Sequence, residues 1–130
     1  MPQDKVVIHS NEAPQAIGPY SQAILHGGIL YCSGQIPLDP TTGKLVDGSI
    51  EEQAHRMFKN LSAVASAAGS SLTHTLKTTL FLRKMEHFAA VNAVYSQYFP
   101  TPYPARSTVE VAQLPLQAAM EIEALIKVDR

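Results

Sequence analysis

From Ala54 to Ala68 apolar residues return at three- and four-residue steps: Ala54, Met57, Phe58, Leu61, Val64, Ala65 and Ala68. That period describes one face of an amphipathic helix. The preceding Ser49-Ile-Glu-Glu has the capping-box spacing, with Glu52 at the third helical position, and Gly69 supplies the stop. A second helix is predicted from Phe88, Val91, Tyr95 and Tyr98, halted before Pro100. Between the helices the period drops to two. Leu76, Thr78, Leu80 and Leu82 alternate with Lys77, Thr79, Phe81 and Arg83, which predicts a strand. Lys5–His9 reads as a short strand, and Ala23–Leu25 with Ile29–Ser33 as a hairpin turning at His26-Gly27-Gly28. Ala13–Tyr20, closed by a turn at Gly18-Pro19, and Pro37–Gly48, with Asp39-Pro40 and Thr42-Gly43, read as loops. Two strands close the chain, Arg106–Gln113 and Met120–Val128. Two helices over one face of a mixed sheet make an α+β fold, and with no repeat or linker residues 1–130 are expected to form a single domain.

The closing strands carry the candidate chemistry. Pro100, Pro102 and Pro104 stiffen the approach to Arg106, so the backbone delivering that guanidinium has few conformations to lose. An aimed arginine with carboxylates nearby suits a planar anion, most simply a carboxylate. Thr108, Glu110 and Ala112 share a strand face with Arg106. In the last strand Ile122, Ala124, Ile126 and Val128 form the apolar set, opposite Glu121, Glu123 and Leu125. The two strands are expected to pair as a hairpin through Leu114–Ala118. Because a one-residue slip would turn an apolar set outward, that pairing places Arg106, Glu110, Glu121 and Glu123 on a common face. Such a face is too apolar for plain solvent and too charged for a core, so a neighbouring subunit is expected to cover it. The alternative is a solvated face whose ion pairs each contribute about 0–1 kcal/mol. These residues alone leave both readings open.

Composition narrows the classes of function. The chain has 130 residues, 45% of them hydrophobic, which suits a soluble globular domain with a real core. No apolar run approaches the ~20 residues of a membrane span. The start, Met-Pro-Gln-Asp-Lys, lacks the marks of a signal or transit peptide, so cytoplasm is the default, with an organelle implied only by a longer precursor. One cysteine, Cys32, excludes an internal disulfide; it reads as a small buried residue rather than a nucleophile. A net charge of −1 with dispersed Lys and Arg argues against nucleic acid as the main ligand. The five histidines show no metal-ligand spacing, and no nucleotide-binding glycine loop is present.

Four further stretches, in order along the chain, carry a resemblance: A-P-Q-A-I-G-P-Y-S-Q-A at Ala13–Ala23, S-G-Q-I-P-L-D-P at Ser33–Pro40, N-A-V-Y-S-Q-Y-F at Asn92–Phe99, and P-A-R-S-T-V-E-V-A-Q-L-P followed by M-E-I-E-A. Together they resemble the reactive intermediate deaminase (RidA/YjgF) family over nearly the whole chain. The resemblance implies a chorismate-mutase-like α+β fold, a homotrimer with three clefts between subunits, and no cofactor. It implies hydrolysis of 2-imino acids and their enamine tautomers to 2-oxo acids and ammonia. The substrates would come from pyridoxal-phosphate enzymes such as threonine or serine dehydratase.

Transferred residue by residue, the resemblance makes Arg106 the carboxylate clamp and Glu121 the group that positions or activates water. It puts Tyr20, Ser33, Gly34, Asn92 and the main chain of Thr108 around the substrate. Thr108 departs from the family pattern, which often has cysteine there. The readings set against these are structural: Glu121 as partner of a neighbouring charge, Tyr20 as packing, Asn92 as a polar cap, and Glu123 as structural. For the whole protein the alternatives are a non-catalytic trimeric module that binds small carboxylates, an RNA-cleaving or chaperone-like protein, and a mutase acting on a dicarboxylate.

Overall fold

The computed structural model describes residues 4–129. Residues 1–3, where the reading against a leader peptide begins, and residue 130 lie outside the described residues. Three strands come first: β1 (Val6–Ile8), β2 (Ala23–His26) and β3 (Ile29–Gln35). Helix α1 (Ile50–Ala67), strand β4 (Thr75–Leu82), helix α2 (Phe88–Tyr98) and strands β5 (Ala105–Glu110) and β6 (Met120–Lys127) follow. The strands form one mixed sheet in the order β1-β2-β3-β6-β4-β5. The expected mixed α+β architecture is therefore present.

Local chemistry explains the helices. Ser49 Oγ accepts from the Glu52 N–H at 3.1 Å, and Glu52 Oε1 accepts from the Ser49 N–H at 3.1 Å, completing the capping box. The apolar stripe of α1 is buried without exception from Ala54 to Ala65. Its Phe58 ring meets Tyr95, Tyr98 and Phe99 at centroid distances of 5.8, 5.1 and 5.8 Å, tying α1 to α2. A fully buried phenylalanine contributes about 1.5–3 kcal/mol from desolvation alone. The layer beneath consists of Leu30, Leu80, Leu82, Ile122 and Ile126, all fully buried on the helix side of the sheet.

Two expectations are corrected. Leu76 leaves the buried set of β4 because the β4–β6 register shifts between Thr75 and Lys77; it is 46% exposed while Thr75 is buried. More consequentially, β5 and β6 do not pair. Strand β5 runs parallel to β4 at the sheet edge, and β6 inserts between β3 and β4, antiparallel to both. The segment after Glu110 steps across the end of β4, where the Val111 N–H donates to Leu82 O (2.8 Å) and the Arg83 N–H to Ala119 O (3.1 Å).

Register then separates what the hairpin would have united. Arg106 lies beside Thr78, which faces Ala124, so all three project to the helix side. Glu121 pairs with Phe81 and Glu123 with Thr79, on the opposite side. Arg106 and Glu121 of one chain occupy opposite faces of the sheet.

A candidate active site in two halves

On the helix side, α2 and β5 build a seat for Arg106. Its guanidinium carbon lies 4.6 Å from the Tyr95 ring centroid and 5.3 Å from that of Phe88, and Nη1 donates to Asn92 Oδ1 at 2.8 Å. Tyr95 is itself held by a buried 2.8 Å hydrogen bond between its hydroxyl and Thr78 Oγ1. Burial pushes that hydroxyl above the ordinary tyrosine range, so it stays protonated. Asn92, Tyr95, Ser96, Tyr103, Pro104 and Arg106 line a cavity of about 410 Å³. No carboxylate among the described residues lies within ion-pair distance of Arg106. The result is an oriented, solvent-facing guanidinium with donors to spare.

Thr108 follows Arg106 on the same face of β5, half-buried. The Val111 N–H points into the sheet toward Leu82, and the two-residue period of a strand turns the Thr108 N–H and C=O to the free edge. Glu110 acts locally, where its Oε1 accepts from the Met85 N–H at 2.7 Å.

The open side of the sheet holds the other half. Tyr20, Ser33, Gly34, Glu121 and Glu123 all line one cavity of about 780 Å³. Strand β3 carries one extra residue against β6 between Cys32 and Gln35, a bulge that lifts Ser33 and Gly34 out of register. Ser33 is fixed from both ends: its N–H donates to Gln22 O (3.0 Å) and its hydroxyl to Ser21 O (2.6 Å). Gly34 leaves room for the Glu121 side chain, since a Cβ there would lie 2.7 Å from Glu121 Cδ. The missing side chain at Gly34 thus makes space for this carboxylate, while Gly34 also lines the cavity. Burial, and then the neighbouring Glu123 charge, raise the Glu121 carboxyl above its ordinary range.

The structure therefore brings Tyr20, Ser33, Gly34 and Glu121 together, brings Asn92 and Arg106 together, sets Thr108 beside the second group, and keeps the groups apart. Periodicity marks Tyr95 and Phe88 only as the apolar face of α2; Tyr95 stands three residues from Asn92, the spacing that puts both on one helix face. Gln22, within the Ala13–Ala23 stretch but given no role there, is buried and ties down the chain on both sides of Ala13: its Oε1 accepts from the Ser10 N–H and its Nε2 donates to Ser10 O and Pro14 O. Cys32 is buried and its thiol is pushed up to about 12, which leaves little thiolate. Among the described residues no cluster of three or more His, Cys, Asp or Glu could hold a metal, and no helix is long and apolar enough to cross a membrane.

Comparison with known proteins places this geometry. Residues 10–128 match the model of the family described as Endoribonuclease L-PSP. Human 2-iminobutanoate/2-iminopropanoate deaminase is 45% identical over 119 residues, covering 92% of this chain and 87% of the human protein. A solved structure of the Rid-family protein YyfA from Yersinia pestis superposes with a TM-score of 0.93 at 48% identity, covering 96% of this chain and all of that one. Escherichia coli TdcF, solved with bound serine, gives 0.90 at 38% identity, covering 96% and 100%. The chain belongs to the reactive intermediate deaminase (RidA/YjgF) family.

Proposed function

We propose that this protein hydrolyses small 2-imino acids, such as 2-iminobutanoate and 2-iminopropanoate, to 2-oxo acids and ammonia. The observation that carries the reading is the Arg106 seat: an arginine fork stacked on Tyr95, aligned by Asn92, and free of any carboxylate partner among the described residues. A 2-imino acid supplies that carboxylate. The deaminase name carried by the human relative supports the same chemistry.

Since the two halves lie on opposite faces of one sheet, a second copy completes the site. Arg106, Asn92 and the Thr108 main chain of one protomer face Tyr20, Ser33, Gly34 and Glu121 of its neighbour in this reading, and the family resemblance supports a homotrimer built from single-domain chains. Arg106 clamps the carboxylate bidentately. Glu121, with its raised proton affinity, exchanges a proton with the attacking water and the departing nitrogen. The water oxygen bonds to C2, the imine nitrogen takes up protons, and the C–N bond breaks to release ammonia. No cofactor enters this chemistry, and no membrane or nucleic acid; the endoribonuclease description belongs to the family model. Pyridoxal-phosphate dehydratases in the same compartment, the cytoplasm, would supply the imine.

The test couples threonine dehydratase to this protein and follows 2-oxobutanoate release while semicarbazide traps free imine. Faster release with wild type but not with Arg106→Ala is expected. Equal release with and without the protein, alongside 2-oxobutanoate binding in a titration, would replace the enzyme with a non-catalytic carboxylate-binding module, a reading that the serine bound to TdcF keeps in view.

A further inference from the structure

The turn before β6 breaks a local rule. In Pro115–Ala118 the Ala118 N–H donates to Pro115 O at 3.1 Å, and both central residues have positive φ: Leu116 at 56° and Gln117 at 61°. That is the signature of a type I′ turn, whose central positions ordinarily call for Asn and Gly. Leucine carries a steric cost here that asparagine or glycine would largely avoid. The conformation is held from outside as well, since the Gln117 N–H donates to Leu114 O (3.0 Å) and Gln117 O accepts from Arg83 Nη1 (3.4 Å). Yet Leu116 does not pack into the core: it is 62% exposed and lines the same cavity as Glu121. Strain retained beside a candidate site, for an apolar side chain left in water, points to function.

We infer that Leu116 determines side-chain specificity: it is the apolar wall that selects 2-imino acids with larger aliphatic side chains. This rests on the deaminase reading. C2 of the substrate is planar and carries three substituents. The carboxylate goes to the partner copy's arginine and the imine nitrogen to the Glu121 side, which leaves the third substituent for the remaining wall. That lining is mixed, and its apolar members include Pro115 and Leu116 just before β6, with Ile17, 88% exposed, and Tyr20 from the Ala13–Tyr20 loop. A rigid turn presents a fixed surface, which is what discrimination by shape needs.

The experiment generates imines with a flavin D-amino-acid oxidase acting on D-leucine or D-alanine, since C2 of the imine has no stereochemistry, and measures semicarbazide competition. Leu116→Asn, near in shape but polar and at ease with positive φ, is expected to lower kcat/KM for the leucine-derived imine about tenfold. For the alanine-derived imine the change is expected to stay within about twofold, because that substrate barely reaches the wall. The same variant is expected to melt at a higher temperature than wild type. Leu116→Met, which stays apolar, is expected to keep the wild-type ratio of the two substrates. Equal loss on both imines, or an unchanged ratio in Leu116→Asn, overturns the assignment. Failure of wild type to accelerate either imine overturns the deaminase reading itself, and the wall with it.

Discussion

The Arg106 seat and the Glu121 pocket reach readiness by opposite physical routes. Arg106 is made ready by contact: a ring at 4.6 Å, an amide oxygen at 2.8 Å and a buried hydroxyl pair behind the ring remove its freedom while leaving its charge in solvent. Glu121 is made ready by the loss of contact. It sits half-buried where a glycine has made room, beside a like charge, and its affinity for a proton rises. A clamp needs geometry and a permanent charge, whereas a proton exchanger needs a charge that is costly to keep. One sheet supplies both environments because one face is covered by helices and the other is not.

Removing the proposed clamp is expected to do the most damage. Arg106→Ala loses two charge-assisted hydrogen bonds to substrate, about 10³-fold in kcat/KM, with a folded assembly retained by circular dichroism and sizing. Arg106→Lys keeps the charge but not the fork, and recovers only part of this.

Glu121→Gln is expected to lower kcat by about 10²-fold or more with a smaller change in KM. Its stability should move the other way. The Glu121 carboxyl holds its proton more tightly in the folded than in the unfolded chain. Its favourable contribution is therefore present at acid pH and fades as pH rises through the raised folded value. Thermal melts from pH 4 to pH 8 should show the Gln variant gaining on wild type toward the alkaline end; a constant gap between the two would contradict the raised proton affinity.

Gly34→Ala sharpens the contrast, since its Cβ would displace the Glu121 carboxylate and leave Arg106 untouched. Turnover is expected to fall about tenfold, and the pH–rate profile to shift, while carboxylate binding to the arginine half persists. The smallest effect is expected from Ser49→Ala, remote from both halves. Loss of the cap should cost about 1 kcal/mol, a few degrees in Tm, with kcat/KM per folded protein unchanged.

Much of this is legible in the sequence, and the part that is not has a definite cause. Periodicity identifies the helices, the hairpin of β2 and β3, and the two sets of side chains on each closing strand, because those depend on residues near one another in the chain. It does not specify which strand lies alongside which. The five residues Leu114–Ala118 read as a hairpin turn, yet they carry the chain over the end of β4. A signal for the true pairing is present: strand, helix, strand from Thr75 to Glu110 is the order that builds a parallel pair, with α2 as the crossover. That order sets Arg106 beside Thr78, on the helix side, and splits the charged set between the faces. The sequence pattern thus reaches the need for a second subunit through a face that does not exist. The proposed second copy rests instead on Arg106 and Glu121 lying on opposite faces of the sheet.

That division is most directly tested by co-expressing Arg106→Ala and Glu121→Gln chains and isolating the mixed assembly. Each variant alone is expected to turn over at about a hundredth of the wild-type rate or less, whereas a cleft drawing its arginine from one copy and its glutamate from another keeps both groups. In the proposed trimer every mixed assembly has one sound cleft of three, so the isolated mixed fraction should recover about a third of wild-type turnover, and the unfractionated random mixture about a quarter. Mixed assemblies verified by mass spectrometry that remain as inactive as either parent would contradict the two-copy site.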